Sequence, residues 1–266
     1  MFNNRCYLDF KKKVKRAFNF FLDIIFPIEC LGCGQEGKWI CADCQKQIPI
    51  NLISHCLECK QETKFGEFCH KCEPNHHLNG VLIASDYNNE LIKQAIKTLK
   101  YRFVPEIGQE LGGLLILFLE RQLAQIHSAD WLNNFVVGKN FAPQVLTDIK
   151  NTLVMPVPLY PRRKRWRGFN QAEILARQVV THFGFELGIK NLHRVRATHD
   201  QASLHERERR TNVANSFAWQ GGALNGKHII LTDDVATTGS TLNACALVLK
   251  QAGAGEVWGL VVAKSL

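Results

Sequence analysis

HIILTDDVATTGST, residues 228–241, ends an apolar run on two adjacent acids and then turns into a loop of threonine, glycine and serine. An apolar run of this length, bounded by a turn-prone segment, reads as a buried strand. The helical pattern STLNACALVLKQAG follows at once. Ligands in parallel α/β sheets bind at the carboxyl ends of the strands. Asp233 and Asp234, placed there, can accept hydrogen bonds from the vicinal hydroxyls of a ribose. Thr237, Thr238, Gly239, Ser240 and Thr241 bring hydroxyls and backbone N–H groups to a helix N-terminus, where an anion is stabilised. Diol acceptors beside a phosphate seat describe a ribose 5-phosphate site. A plain N-cap after a buried strand needs only one polar residue. Strand-end acids of this kind are expected to contribute little to the core.

Outward from this stretch, strand and helix patterns alternate from residue 80 onward. VLIASDY, TLVMPVPL, NLHRVR and EVWGLVVA read as strands, and NELIKQAIKTLKYRF, VPEIGQELGGLLILFLERQL and NQAEILARQVVTHF as helices. Such alternation predicts a doubly wound parallel sheet. Residues 124–150 read as an irregular insertion, and RRKRWR (162–167) as a basic loop after a strand. Neither G-x-x-x-x-G-K-[ST] nor G-x-G-x-x-G is present, so triphosphate and dinucleotide loops are not indicated.

The chain has 266 residues, a formal net charge of +9 and ten cysteines. The charge points to a polyanionic partner. The start MFNNRCYLDFKKKVKR does not match a secretory signal, and no run of 18 apolar residues occurs, so a cytoplasmic chain without a transmembrane segment is expected. Eight cysteines form four C-x-x-C pairs: Cys30 and Cys33, Cys41 and Cys44, Cys56 and Cys59, Cys69 and Cys72. Zinc takes four thiolates tetrahedrally, so the pairs supply ligands for two structural Zn²⁺ ions. Pairing by sequence closes two short loops; interleaving first with third and second with fourth satisfies the same count. Cys245 lies on an apolar helix face as a buried thiol, and the histidines beside the pairs read as surface residues. Phe10, Val14, Phe18, Leu22 and Phe26 form an apolar stripe on a basic N-terminal segment, suited to docking on the rest of the chain or to a membrane or partner surface.

ILTDDVATTGST resembles the phosphoribosyl diphosphate signature of type I phosphoribosyltransferases. PVPLYPRRKRWRGFNQAEILA, RATHDQASLHERERRTNVANSF, LKYRF and the four C-x-x-C pairs extend the resemblance, from about Ile25 to Ala263, to the ComF family of competence proteins. One departure is Phe103-Val104 after LKYR, where members carry a glycine; the insertion at 124–150 is another. The residue patterns give an amphipathic segment at 1–29 and a zinc-binding module at 30–78, and the resemblance implies a type I phosphoribosyltransferase-like domain at 79–266. It implies phosphoribosyl diphosphate held by Asp233, Asp234, Ala236, Thr237, Thr238, Gly239, Ser240 and Thr241, with Mg²⁺ accompanying that ligand. It also implies a role with incoming single-stranded DNA in natural transformation, among other DNA-uptake or recombination proteins.

The basic segment suits the same chemistry. Arg162, Arg163, Lys164, Arg165 and Arg167 offer charge to nucleic-acid phosphates, and Trp166 or Phe169 a ring for base stacking. A solvated basic loop is the plainer account. If phosphoribosyl transfer occurs, Arg165 and Arg167 are the candidates to stabilise departing pyrophosphate. A working salvage phosphoribosyltransferase and a non-catalytic phosphoribosyl diphosphate sensor remain alternatives to a DNA-handling protein. HERERR, with alternating charges, suits an exposed helix.

Overall fold

The computed structural model describes residues 27–127, 142–196 and 215–265. The chain divides into two compact units, Met1–Gln47 and Ile48–Leu266. Each contains one cluster of four cysteines.

In the first unit the CLGC segment closes a tight turn. The Gly34 N–H donates to the Cys30 carbonyl at 2.8 Å, and Gly34 takes φ +75°. Helix α1 (Ala42–Lys46) starts on Cys41, whose sulfur accepts from the Cys44 N–H at 3.4 Å. A cysteine sulfur thus serves as the helix cap.

The second unit opens with the same turn. Lys60 N–H donates to the Cys56 carbonyl at 3.0 Å, with Lys60 at φ +62° in the place of Gly34. The strands β1 (Ser54–His55) and β2 (Glu62–Thr63) flank this turn and pair as a hairpin. The chain continues through β3 (Gly80–Asp86), α2 (Glu90–Tyr101), α3 (Ile107–His127), α4 (Gln144–Thr147), β4 (Thr152–Pro156), α5 (Pro161–Arg167) and α6 (Gln171–Phe183). It ends with β5 (Glu186–Leu187), β6 (Leu192–Arg194), β7 (Phe217–Trp219), β8 (His228–Ala236), α7 (Ser240–Gln251) and β9 (Val257–Lys264).

Five strands form one parallel sheet in the order β3-β9-β8-β4-β5. Val81, Met155, Leu231 and Val261 pack with Leu242, Cys245 and Leu249 of α7 and with Leu57, Phe68 and Leu78 of the cysteine segment. The alternate positions, such as Leu82, Val154, Ile230 and Val262, are buried on the opposite face, where α3 and α6 lie. Burial on both faces is why these strands read as continuous apolar runs. Helices α3 and α6 approach closely at Gly108 and Gly112, where a Cβ would come within 2.6 Å of Ile174 and Gln178. The parallel sheet and its flanking helices make this the phosphoribosyltransferase-like α/β fold expected from the sequence.

Three local expectations are corrected. NLHRVR does not join the main sheet: β6 pairs antiparallel with β7 in a separate two-stranded sheet. The basic segment is a helix, α5, not a loop. Pro161 opens it at the first turn and Gly168, at φ +82°, closes it. Both are favoured at those positions, but an all-polar helix has no apolar periodicity to reveal it. The insertion is shorter than 124–150, because α3 runs to His127 and α4 lies within its second half. HERERR and the 10–26 stripe lie outside the described residues. Among the described residues, no helix is long and apolar enough to cross a membrane.

Candidate functional site

Strand β8 continues through Asp233 and Asp234 to Ala236. Successive side chains of a strand point to opposite faces, so the two acids have different surroundings. Asp234 is 2% exposed, and its carboxylate pairs with Lys100 Nζ at 3.0 Å. Lys100 comes from the last turn of α2. Burial opposes the Lys100 charge, but Asp234 and then Asp233 outweigh it and hold the ammonium above the ordinary lysine range. The second carboxylate oxygen of Asp234, Oδ2, is buried with no hydrogen-bond partner among the described residues. Asp233 Oδ1 accepts from the Asp234 N–H at 2.9 Å. Although part of Asp233 reaches solvent, burial, and then the neighbouring Asp234 charge, push its pKa up to about 7. Near neutral pH the Asp233 carboxyl is therefore only partly ionised. The expectation that both acids contribute little to the core fails for Asp234, which is buried and paired.

The loop that follows is shaped from outside. Ala236 is buried, and its carbonyl accepts from Ser265 N–H at 2.9 Å. Thr237, Thr238, Ser240 and Thr241 are half-buried around Gly239, which caps α7 at φ +74°. Thr238 Oγ1 lies 3.4 Å from the Ser240 N–H. The tight neighbour is Leu57, in the Cys56–Cys59 turn. A Cβ on Gly239 would lie 2.5 Å from Leu57 Cδ2. Lys264 Nζ donates to the Leu57 carbonyl at 3.2 Å, and Asn243 Oδ1 of α7 accepts from His77 and Leu78 N–H at 2.7 and 3.3 Å. The second cysteine segment forms one wall of the loop.

The cysteines cluster in sequence order: Cys30, Cys33, Cys41 and Cys44 in one set, Cys56, Cys59, Cys69 and Cys72 in the other. Cys33 and Cys41 sulfurs are 3.7 Å apart, and Cys59 and Cys69 3.5 Å. Sulfurs of a tetrahedral Zn–S₄ site with bonds of about 2.3 Å are about 3.8 Å apart. Burial works against a Cys30 thiolate, yet N–H donors led by Cys41 bring its pKa down to about 6. Its neighbour Cys44 is pushed far up by Cys41 and Cys33. As ligands, the four sulfurs would be thiolates whose like charges a metal between them neutralises. Both clusters are compatible with one structural zinc each. His76, expected as a surface residue, instead stacks on Phe68 with ring centroids 3.7 Å apart and bonds Glu58 at 2.7 Å, bracing the second cluster. Cys245 is fully buried, and burial pushes its thiol well up.

Helix α5 presents the basic residues in two directions. Arg167 turns inward: its Nη1 donates to Gln171 Oε1 at 2.6 Å, its Nε is buried without a partner among the described residues, and Asp234 and Asp233 oppose the downward effect of burial on its pKa. Arg162, Arg165 and Trp166 face solvent. Lys164 is 3.6 Å from Glu173. Phe169 is half-buried beside Asn170, which caps α6 and donates to the Val157 carbonyl at 3.0 Å. Sequence reasoning assigned no site role to Lys100 or Leu57. LKYRF carried the signal for the first; nothing local signals the second.

Two outcomes follow from this geometry. Purified protein should contain two zinc ions per chain by elemental analysis. Cys33→Ser should lower this to one with the sheet unit's melting unchanged, because the first cluster belongs to the other compact unit; retention of two ions would contradict the assignment. Asp234→Ala should cost about 3 kcal/mol in chemical denaturation by leaving Lys100 buried beside no partner. Adding Lys100→Met should recover most of that loss. A single-variant cost below about 0.5 kcal/mol, the value of an exposed pair, would place the pair in solvent.

Residues 21–73 match the double zinc ribbon domain family. Competence protein F of Haemophilus influenzae is 30% identical over 248 residues, covering 88% of this chain and 97% of that protein. DNA utilization protein YhgH of Salmonella typhi is 38% identical over 109 residues, 40% of this chain and 48% of the relative. Competence protein ComFC of Streptococcus pneumoniae is 34% identical over 122 residues, 46% of this chain and 52% of the relative. With a like sequence along almost the full length of one competence protein and the cysteine clusters and sheet in place, the chain belongs to the competence protein F family.

Proposed function

We propose that the protein handles incoming single-stranded DNA in natural transformation, and that the β8–α7 loop binds phosphoribosyl diphosphate or a related ribose phosphate. The observation that carries the DNA reading is α5. No residue of this helix is buried, and Trp166 stands 66% exposed among arginines. A basic surface with an exposed ring suits a strand whose phosphates and bases are both accessible. The relatives' names, competence protein and DNA utilization protein, support the same role.

The ribose-phosphate reading rests on the residues around the loop. Asp233 would accept from the ribose hydroxyls, the N-terminus of α7 would seat the 5-phosphate, and Lys100 and Arg167 would supply positive charge beside the acids. The Asp233 carboxylate and the orphaned Asp234 oxygen are the hard donors that Mg²⁺ takes; when bound, Mg²⁺ would neutralise pyrophosphate charge. The proximity of Arg167 to these acids favours a second reading, an active phosphoribosyltransferase, in which Arg167 stabilises the leaving pyrophosphate. Arg165, which faces solvent, suits the DNA surface better.

Replacing Arg162, Arg163 and Arg165 together by Ala should weaken binding of an unstructured oligodeoxythymidine. It should also flatten the log–log salt slope by about 2, at about 0.7 per lost phosphate contact. Fluorescence titrations at several salt concentrations read both quantities. An unchanged affinity and slope would remove DNA from the reading. A loss of turnover on free bases without any DNA effect would favour the salvage enzyme.

A further inference from the structure

Phe103 follows helix α2, two residues beyond Tyr101. It takes φ +58°, a conformation that bulky residues seldom adopt. Core burial does not account for this, because Phe103 is only half-buried. Its specific partner is Trp166: the two rings meet edge to face, with centroids 4.8 Å apart and planes at 88°. Trp166 is 66% exposed and Tyr101 65% exposed. Edge-to-face packing fixes an indole that would otherwise rotate on a short exposed helix. Arg102 adjoins Phe103 in the chain, Arg165 adjoins Trp166 and Arg162 precedes Trp166 by one turn of α5, all exposed. A solvent-facing aromatic pair inside a field of guanidinium groups matches a ligand that is both polyanionic and flat-faced.

We infer that Phe103 and Trp166 form a single base-stacking platform for single-stranded nucleic acid, with Phe103 as the element that holds the indole in register. The inference rests on the proposed DNA role and adds to it a residue on a different helix. The left-handed turn at Phe103 brings the end of α2 to α5. The arginines track the phosphates, and the ring pair receives a base; stacking on aromatics tolerates any sequence because every base has a π-face.

The test is a double-mutant cycle of Phe103→Gly and Trp166→Ala on the full-length, zinc-loaded protein. The readout is oligodeoxythymidine binding across a salt series, with melting temperature measured alongside. Glycine accepts the left-handed turn, so Phe103→Gly should melt no lower than wild type. It should still weaken binding about tenfold, the loss expected for one stacked base, with the salt slope unchanged. Trp166→Ala should lose a similar factor, and the double variant little more, because coupled residues are not additive. Affinity within twofold of wild type for Phe103→Gly, while Trp166→Ala loses binding, would overturn the role of Phe103. A lowered melting point with affinity retained would make the pair structural. Competition by polyglutamate as strong as by the oligonucleotide would show that the surface reads charge alone. If wild type fails to bind the oligonucleotide at all, the DNA role itself falls.

Discussion

A Cβ on Gly239 would stand 2.5 Å from the Leu57 Cδ2 methyl, which would have to move aside, and φ +74° strains any residue but glycine there. That contact ties the two chemistries of the larger unit together. Leu57 sits between Cys56 and Cys59, inside a turn of one four-cysteine cluster, and Gly239 sits inside the β8–α7 loop, the proposed anion seat. Lys264 holds the Leu57 carbonyl from the end of β9, and Asn243 holds the His77 and Leu78 amides from α7. The cysteine segment is therefore part of the frame of the β8–α7 loop, the proposed ligand site. Its four cysteine sulfurs converge in a set compatible with one structural zinc.

Electrostatics does the rest of the positioning. Two adjacent carboxylates on a strand buried on both faces would repel strongly if both were charged and unpaired. Lys100 satisfies one oxygen of Asp234, and Asp233 responds by titrating near neutrality. Arg167 approaches from α5 and is steadied by Gln171. A cation from α2, a cation from α5 and two acids from β8 thus converge from three separate stretches of chain. The exposed side of α5 is left to arginines and Trp166, so one short helix serves an inner and an outer surface.

Much of this was legible from residues 228–241 and the four C-x-x-C pairs. Apolar runs ending in small polar loops announced the parallel sheet, and regular cysteine spacing announced two four-ligand sets, which the structure brings together in sequence order. What the sequence concealed has physical reasons. Helix α5 has no apolar face, so periodicity misses it, and only Pro161 and Gly168 mark its ends. β6 carries the same pattern as a sheet strand, but its partner Phe217–Trp219 is distant in sequence. Lys100 and Asp234 are 134 positions apart, and the pairing depends on where α2 ends. Phe103 takes a glycine-type conformation that its identity disguises.

The most direct measurement is calorimetric titration of phosphoribosyl diphosphate with Mg²⁺ into wild type, Gly239→Ala and Gly239→Ala combined with Leu57→Ala. The account predicts saturable binding to wild type and loss of binding in the single variant, whose added methyl collides with Leu57. It predicts partial recovery in the double variant, where the collision is gone and the strain of a left-handed alanine remains. Equal affinity in all three proteins would contradict the claim that the cysteine segment frames the loop. No heat from wild type, with zinc bound and the fold intact, would contradict the ribose-phosphate site itself.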